Sequence, residues 1–133
     1  MIGLDTNVLV RLLAQDQPEQ TGKAQKFISQ RCTEAQPAFV NLIVLAETVW
    51  VLERSYRYSA AQICHAIERL LQVREIKIQS PDEVWAALRN YRETGVGFSD
   101  ALIEAINLTA GCSTTISFDK KAIKRLSGFA ECD

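Results

Sequence analysis

The chain has 133 residues, of which 47% are hydrophobic and 23% charged, as expected for one globular domain and not for a disordered tail or a fibre. Fifteen basic residues face sixteen acidic ones, which excludes a strongly basic nucleic-acid binder but allows a local basic patch. No apolar run reaches the roughly 18–20 residues of a membrane span. The apolar start of the chain carries Asp5 and Arg11 and no basic leader, so we expect no signal peptide.

The first half of the chain alternates short apolar runs with longer helical patterns. It predicts a buried strand over 2–4, helices over 6–14 and 18–34, a short strand over 38–40 and a strongly apolar helix over 42–56. Ser59 is expected to cap a further helix that ends near Gln72, because apolar residues recur there at helical spacing.

The second half continues the alternation. It predicts a strand over 75–78, a helix from Pro81 to about Thr94, a helix over 100–110 capped by Ser99, a strand over 114–118, a short helix opened by Asp119 and a final short strand over 129–131. Strands that alternate with helices indicate an α/β fold with a mainly parallel sheet covered by helices on both faces. We therefore predict a single α/β domain over residues 1–133.

Three acids either follow an apolar strand or begin a helix after a turn, and in such folds ligands bind at the carboxyl ends of the strands. Asp5 follows the first strand, Asp119 follows the strand at 114–118, and Asp100 begins a helix after a turn. Each acid alone is well explained as a helix cap, since an Asp at a helix start accepts backbone N–H bonds and complements the helix dipole. The three positions therefore do not by themselves identify an enzyme.

Glu47 is the acid that capping does not explain. It is the only charged residue in the apolar segment 42–52 and lies in the middle of a predicted helix. An ionised carboxylate in apolar surroundings is costly unless it is paired, metal-bound or protonated. The other interpretation is a Glu that faces a solvent gap beside Thr48 or pairs with Arg54. Four converging carboxylates would suit a hard divalent ion, Mg²⁺ or Mn²⁺, and metal-assisted phosphodiester hydrolysis.

The cysteines and the single histidine offer no competing metal site. Cys32, Cys64, Cys112 and Cys132 are too far apart in sequence for a C-x-x-C motif, so we expect free thiols in a reducing cytosol. His65 is expected on a helix surface, without a catalytic role.

Four short segments carry a resemblance to a known family through their order and spacing along the chain. They are LDTNVLVRLL at 4–13, VLAETVWVL at 44–52, GFSDALIEA at 97–105 and TISFDKKA at 115–122. With them the chain resembles a PIN-domain endoribonuclease and, more narrowly, a VapC-type toxin of a toxin–antitoxin pair. The resemblance runs from the first strand to the last helix. It implies a three-layer α/β/α fold whose central, mainly parallel sheet has about five strands, and a cytoplasmic enzyme that cleaves RNA to leave a 5′-phosphate and a 3′-hydroxyl.

The resemblance also implies an acidic catalytic site. Carried over by position, its members are Asp5, Glu47, Asp100 and Asp119. Asp5 and Asp100 would hold the metal ion, Mg²⁺ or Mn²⁺. Glu47 and Asp119 would bind directly, through water or at a second ion.

Supporting residues follow from the same resemblance. Thr6 and Asn7 match the family's D-T-N pattern, and Asn7 would hold the acids in place by hydrogen bonds. Ser117 stands where these toxins usually have Thr and keeps the hydroxyl. Glu104 lies four residues after Asp100, on the same helix face, where Ala is more usual. It is either a fifth acid at the site or a solvated residue, and the solvated interpretation is favoured.

RNA binding requires positive charge near the acids. The densest basic run, which includes Lys120, Lys121 and Lys124, directly follows Asp119, and Arg11 lies on the first helix after Asp5. These four residues either contact phosphates or belong to solvated helix faces. Among the aromatic residues that could stack on bases, Trp50 is expected in the core because its helix is so apolar.

The family implies further partners. These toxins form homodimers and bind a small antitoxin whose tail blocks the groove, and they often act on structured RNAs such as transfer RNA. A catalytically inert RNA-binding or partner-binding module on the same scaffold is the alternative, although such a module would be expected to have lost one or more of the four acids. A phospho-acceptor domain built around Asp5 is a third hypothesis, but it leaves Glu47 unexplained.

Overall fold

The computed structural model describes all 133 residues, Met1–Asp133. The chain divides into two compact units, Met1–Gln79 and Ser80–Asp133, and each is described by itself. No helix in either unit is both long enough and apolar enough to cross a membrane.

The first unit contains three strands and four helices. In chain order these are β1 (Ile2–Gly3), α1 (Thr6–Ala14), α2 (Pro18–Arg31), β2 (Ala38–Val40), α3 (Leu42–Ser55), α4 (Ala60–Gln72) and β3 (Ile76–Ile78). The strands form one parallel sheet in the order β1-β2-β3, in which Ile2 is paired with Ala38 and Val40 with Ile78.

Side-chain caps define where the helices of this unit begin. The Asn41 side chain accepts a hydrogen bond from the backbone N–H of Val44 at 2.9 Å, which starts α3 directly after β2. Ser59 and Gln62 form a reciprocal capping box at the start of α4, so the predicted cap is confirmed.

The core of the first unit lies between its sheet and its helices. The fully buried side chains include Leu9, Val40, Leu45, Val49, Leu52, Ile63 and Ile67. The strand predicted over 2–4 was expected to be buried, but only Leu4 is, whereas Ile2 remains 39% exposed and Gly3 is also exposed. A two-residue strand at one edge of a sheet is covered less than a central one.

The second unit contains α5 (Pro81–Thr94), α6 (Phe98–Thr109), β4 (Thr115–Ser117), α7 (Lys120–Arg125) and β5 (Phe129–Glu131). Strands β4 and β5 are parallel neighbours. Helices α5 and α6 pack together, and the rings of Tyr91 and Phe98 meet edge to face at 5.9 Å between centroids. The apolar faces of α5 and α6 supply most of the core of this unit.

Helix α6 does not begin as predicted. Ser99 was expected to be its cap, but the helix starts at Phe98, and Gly97 occupies the cap position without a side-chain hydrogen bond. Asp100 consequently lies inside the first turn of the helix. An acid at this position has a favourable interaction with the helix dipole without being the cap itself.

The chain has seven helices and five strands, and every strand pair is parallel. This makes it an α/β protein, as predicted. The strands form one sheet of three and one sheet of two, each within its own unit. A single domain over residues 1–133 stays a prediction. All four cysteines are free thiols, with Cys32 and Cys64 buried and Cys112 and Cys132 exposed.

Candidate functional site

In the first unit, one threonine links two of the expected site acids. Asp5 is the residue that caps α1, and its Oδ1 accepts a hydrogen bond from the backbone N–H of Thr6 at 2.8 Å. The Thr6 hydroxyl in turn donates to Oε1 of Glu47 at 3.3 Å, across 41 residues of sequence. Thr6 therefore connects the start of α1 with the middle of α3, through its backbone N–H to Asp5 and through its hydroxyl to Glu47.

The environment of Glu47 differs from the one its apolar helix suggested. Its side chain is exposed and lies on the solvent side of α3, while Val44, Leu45 and Thr48 face the interior. The idea that burial forces this acid to be paired or protonated was thus wrong, and the solvent-facing alternative is the observed one. Glu47 is connected to Asp5 through Thr6, which bonds to both carboxylates.

In the second unit, the charge of Asp119 acts on Asp100. Asp100 is half-buried in the first turn of α6. Burial raises the pKa of its carboxyl group, and the negative charge of Asp119 raises the pKa further. A positive ion near Asp100 would oppose both effects, because it favours the ionised carboxylate.

The backbone around Asp119 is fixed by local hydrogen bonds. Asp119 caps α7, and its Oδ1 accepts from the backbone N–H of Ala122 at 3.0 Å. The Ser117 hydroxyl accepts from the backbone N–H of Asp119 at 2.9 Å. A hydroxyl two residues before the acid thus helps to set the turn from which Asp119 projects, which gives the Ser at this position a physical role.

The donor chemistry of these positions fits a hard divalent cation. Each pair offers carboxylate oxygens, and the first adds the Thr6 hydroxyl. Such oxygen donors suit Mg²⁺ or Mn²⁺. In neither unit do three or more His, Cys, Asp or Glu side chains form a group that could hold a metal ion. Each unit, taken by itself, presents two of the four expected acids.

The expected role of Asn7 falls to its neighbour. Asn7 is exposed and makes no side-chain hydrogen bond to either acid, whereas Thr6 contacts both Asp5 and Glu47. Asn7 instead lines a hollow of about 550 Å³ beside Asp5, between β1, α1 and α2. The resemblance implied this hydrogen bonding for Asn7, and within the first unit Thr6 makes it with Asp5 and Glu47.

Arg11, expected to bind RNA, already has partners within the first unit. Its Nε donates to Gln20 at 2.6 Å, its Nη1 donates to the hydroxyl of Tyr56 at 3.1 Å, and it forms an ion pair with Asp16 at 3.8 Å. Burial and the hydrogen bond to Asp16 raise the pKa of Tyr56, so the phenol stays protonated at neutral pH. These contacts tie α1 to α2 and to the end of α3.

Basic residues follow Asp119 on α7. Lys120, Lys121 and Lys124 are exposed, as a phosphate-binding role requires. Arg125 differs from them, because its Nη1 donates to the backbone carbonyl of Thr94 at 3.0 Å, at the C-terminal end of α5. Arg125 is thus a structural contact of α7, and the three lysines are the free cations of this helix.

Glu104 is not solvated, so the favoured sequence interpretation was wrong. Its side chain is only 4% exposed, and it accepts hydrogen bonds from Nδ2 of Asn90 at 3.0 Å and from the backbone N–H of Gly128 at 2.7 Å. The carboxylate joins α6 to α5 and to the residue before β5. Its partners are structural, which separates it from the acids at the surface.

Trp50 was expected in the core, and this too was wrong. Its side chain is 57% exposed on α3, and the guanidinium carbon of Arg54 lies 5.0 Å from the centre of the ring. The signal that could have located it is its spacing from Glu47, since residues three apart on a helix share a face.

The fold and the acids define the class of protein. It is an α/β protein in which Asp5 and Asp119 cap helices that follow parallel strands. The sequence matches the PIN domain family over residues 2–128, and the chain belongs to that family. PIN domains are typically nucleases, so membership implies nuclease-type activity. A comparison with curated proteins gave no match.

Proposed function

We propose that this protein is a metal-dependent endoribonuclease and that Asp5, Glu47, Asp100 and Asp119 serve one hydrolytic site. The observation that carries the proposal is the organisation of these acids into two pairs, one connected by the backbone N–H and hydroxyl of Thr6 and one in which Asp119 acts on Asp100. The family match over residues 2–128 supports the nuclease class of the proposal.

Asp5 and Asp100 would hold Mg²⁺ or Mn²⁺, and Glu47 and Asp119 would complete the site. When bound, such an ion supplies an activated water and neutralises charge at the phosphate. Thr6 keeps Glu47 beside Asp5, and Ser117 sets the backbone from which Asp119 projects. Hydrolysis is proposed to leave a 5′-phosphate and a 3′-hydroxyl, with no His or Cys required.

Lys120, Lys121 and Lys124 are proposed to contact phosphates on either side of the cleaved bond, because they are exposed and directly follow Asp119. Arg11 lines the hollow beside Asp5 and is proposed to add positive charge there while keeping its internal partners. Positive charge near the acids would offset their repulsion of the RNA backbone.

The biological role that we propose is that of a cytoplasmic toxin of a toxin–antitoxin pair, which inhibits translation by cutting a structured RNA such as transfer RNA. An antitoxin would need an apolar surface on the toxin. A groove of about 920 Å³ in the first unit supports this, because α1, α2 and α4 line it with residues that include Leu12, Ile28, Ala66 and Leu70. A homodimer is proposed on the family resemblance alone.

The test compares wild-type protein with Asp100→Asn after removal of any partner that co-purifies. Each is incubated with total cellular RNA in Mg²⁺, in Mn²⁺ and in chelator, and the fragment ends are mapped. Asp82→Asn is the matched control, since Asp82 is an exposed acid in the first turn of α5. We expect metal-dependent cleavage by wild type and Asp82→Asn, and none by Asp100→Asn.

Two results would contradict the proposal. Cleavage that persists in Asp100→Asn would show that this carboxylate is not part of the site. A folded wild-type protein that cuts no RNA with either metal would favour the alternative, a catalytically inert PIN-like module that binds RNA or a protein partner.

A further inference from the structure

Four exposed side chains form a line along α3. Ile43, Glu47, Trp50 and Arg54 are spaced by four, three and four residues, which places them on one face of the helix. The positions between them are mostly buried or half-buried. The solvent-facing side of α3 therefore presents, in chain order, an aliphatic, an acidic, an aromatic and a cationic side chain.

The aromatic and cationic members of this line already contact each other. The guanidinium carbon of Arg54 lies 5.0 Å from the centre of the Trp50 ring, within the range of a cation–π interaction. Trp50 nevertheless remains 57% exposed, so much of the ring is open to another molecule. A large aromatic ring left in water beside a cation has no role in the core of the unit.

We propose that Trp50 and Arg54 form a stacking platform for a nucleobase of the RNA substrate, one helical turn from Glu47. The proposal rests on the proposed nuclease function, because it assigns the face of α3 to the same substrate. Trp50 would stack on the base, and Arg54 would support the ring and contact the adjoining phosphate. Aromatic rings beside cations are the usual means of holding single-stranded nucleic acid.

The position of Glu47 favours RNA over a protein partner on this face. Glu47 lies between Ile43 and Trp50, and its carboxylate accepts only the Thr6 hydroxyl. A protein interface centred here would have to bury that charge, whereas the cores of protein interfaces are depleted of charged residues. An RNA strand that crosses this face would not need to bury the carboxylate of Glu47, which would stay available for the proposed hydrolytic site.

The spacing also fits a nucleotide next to the cleaved bond. Glu47 and Arg54 are seven residues apart, which is roughly 10.5 Å along the helix at about 1.5 Å per residue. A base on Trp50 would thus lie between a site acid and a cation. Because stacking tolerates every base, the platform would fix the position of the strand more than its sequence.

The chain offers a direct optical test, because it has only two tryptophans, Trp50 and Trp85. A Trp85→Phe variant leaves Trp50 as the sole tryptophan, and Asp100→Asn is added to keep the RNA intact. Twelve-residue oligouridine and oligoadenosine are titrated in Mg²⁺ while tryptophan fluorescence and affinity are measured. We expect both oligonucleotides to quench Trp50.

Variants then separate stacking from other effects. Trp50→Ala should weaken oligonucleotide binding by roughly 5- to 160-fold, the loss of one stacked base, while Trp50→Phe should retain most of the affinity. Trp85→Ala is the matched control, because Trp85 is the other exposed tryptophan and should leave affinity unchanged. In a cleaving background, Trp50→Ala should act through KM more than kcat.

Three results would overturn the platform. If Trp50→Ala cleaved RNA at the wild-type rate and bound oligonucleotides with unchanged affinity, the platform would be refuted and the nuclease proposal would stay intact. Equal losses in Trp50→Ala and Trp85→Ala would also refute it. If Trp50→Ala and Ile43→Ala lowered the molecular mass in sedimentation without changing RNA affinity, the face would be a protein interface. An inert wild-type protein that binds no oligonucleotide would instead refute both proposals.

Discussion

The backbone N–H of Gly128 donates to Oε2 of Glu104 at 2.7 Å, inside the second unit. Glu104 is one helical turn from Asp100 on α6, yet the two acids have different surroundings. Glu104 accepts hydrogen bonds from Asn90 and Gly128. Burial and the charge of Asp119 raise the pKa of Asp100. One helix therefore carries an acid that holds the unit together and an acid suited to chemistry.

The first prediction concerns Gly128→Ala. A Cβ atom at this position would lie 2.7 Å from Oε2 and 2.9 Å from Cγ of Glu104, closer than atoms pack. Relief of this clash would break the hydrogen bond or displace the carboxylate, so the free energy of unfolding should fall by about 1–3 kcal/mol. Urea unfolding followed by circular dichroism measures the change.

Gly22→Ala provides the control for that substitution. Gly22 lies within α2, and a Cβ atom there would meet nothing within 4 Å. Alanine should therefore leave stability unchanged or raise it by up to ~1 kcal/mol through its helix propensity. Equal stability of Gly128→Ala and wild type would show that Glu104 is not confined as described.

The second prediction concerns the pH dependence of stability without metal. Burial and Asp119 raise the pKa of Asp100 above its ordinary value of 3.8, so the folded state binds this proton more tightly than the unfolded state. As pH rises from the ordinary pKa through the raised one, ionisation of Asp100 should lower the free energy of unfolding. Asp100→Asn should lack this loss and be more stable than wild type at pH 7.

The measurement is urea unfolding of both proteins in chelator between pH 4 and pH 7. The difference in stability should shrink as the pH falls through the raised pKa, because wild-type Asp100 then takes up its proton. Mg²⁺ should reverse the order at pH 7, because an ion that binds only the folded state stabilises it. A wild type that exceeds Asp100→Asn in stability throughout this range in chelator would contradict the prediction.

The third prediction concerns Thr6, whose backbone N–H donates to Asp5 and whose hydroxyl donates to Glu47. Thr6→Val keeps the shape of the side chain but removes the donor to Glu47. By analogy with other groups that orient metal ligands, cleavage or metal affinity should fall about 10- to 100-fold. Thr6→Ser keeps the hydroxyl and should retain most activity. Equal rates for Thr6→Val and wild type would mean that the hydroxyl does not organise the site.

The sequence allowed the elements to be predicted more reliably than their faces. Ser59 marks the start of α4 because its capping box is a local interaction. Trp50 and Glu104 were misplaced for the opposite reason, since periodicity shows which residues share a helix face but not what covers that face. The apolar composition of α3 suggested a buried Trp50, and only the packing of the unit reveals that this side is open.

The acids illustrate the same limit. Asp5 and Asp119 follow strands and cap helices, so local rules placed both of them correctly. The bond between Thr6 and Glu47 spans 41 residues and depends on how α1 meets α3. No local pattern contains that information, and the family resemblance had assigned the hydrogen bonding to Asn7 instead.

The last prediction concerns the lysines that follow Asp119. Lys120 and Lys121 are exposed at the start of α7, next to an acid of the proposed site. If both contact phosphates, the double substitution to Ala should weaken RNA binding and reduce the slope of log affinity against log salt by about 1.4, roughly 0.7 for each contact with a single strand.

Lys26 and Lys77, exposed on α2 and β3, form the matched double control with the same change in net charge. Binding measured from 50 to 300 mM KCl separates the two cases, because a general effect of net charge would shift both double variants alike. If the Lys120 and Lys121 variant kept the wild-type slope and cleavage rate, these lysines would belong to a solvated helix face and the RNA would cross the protein elsewhere.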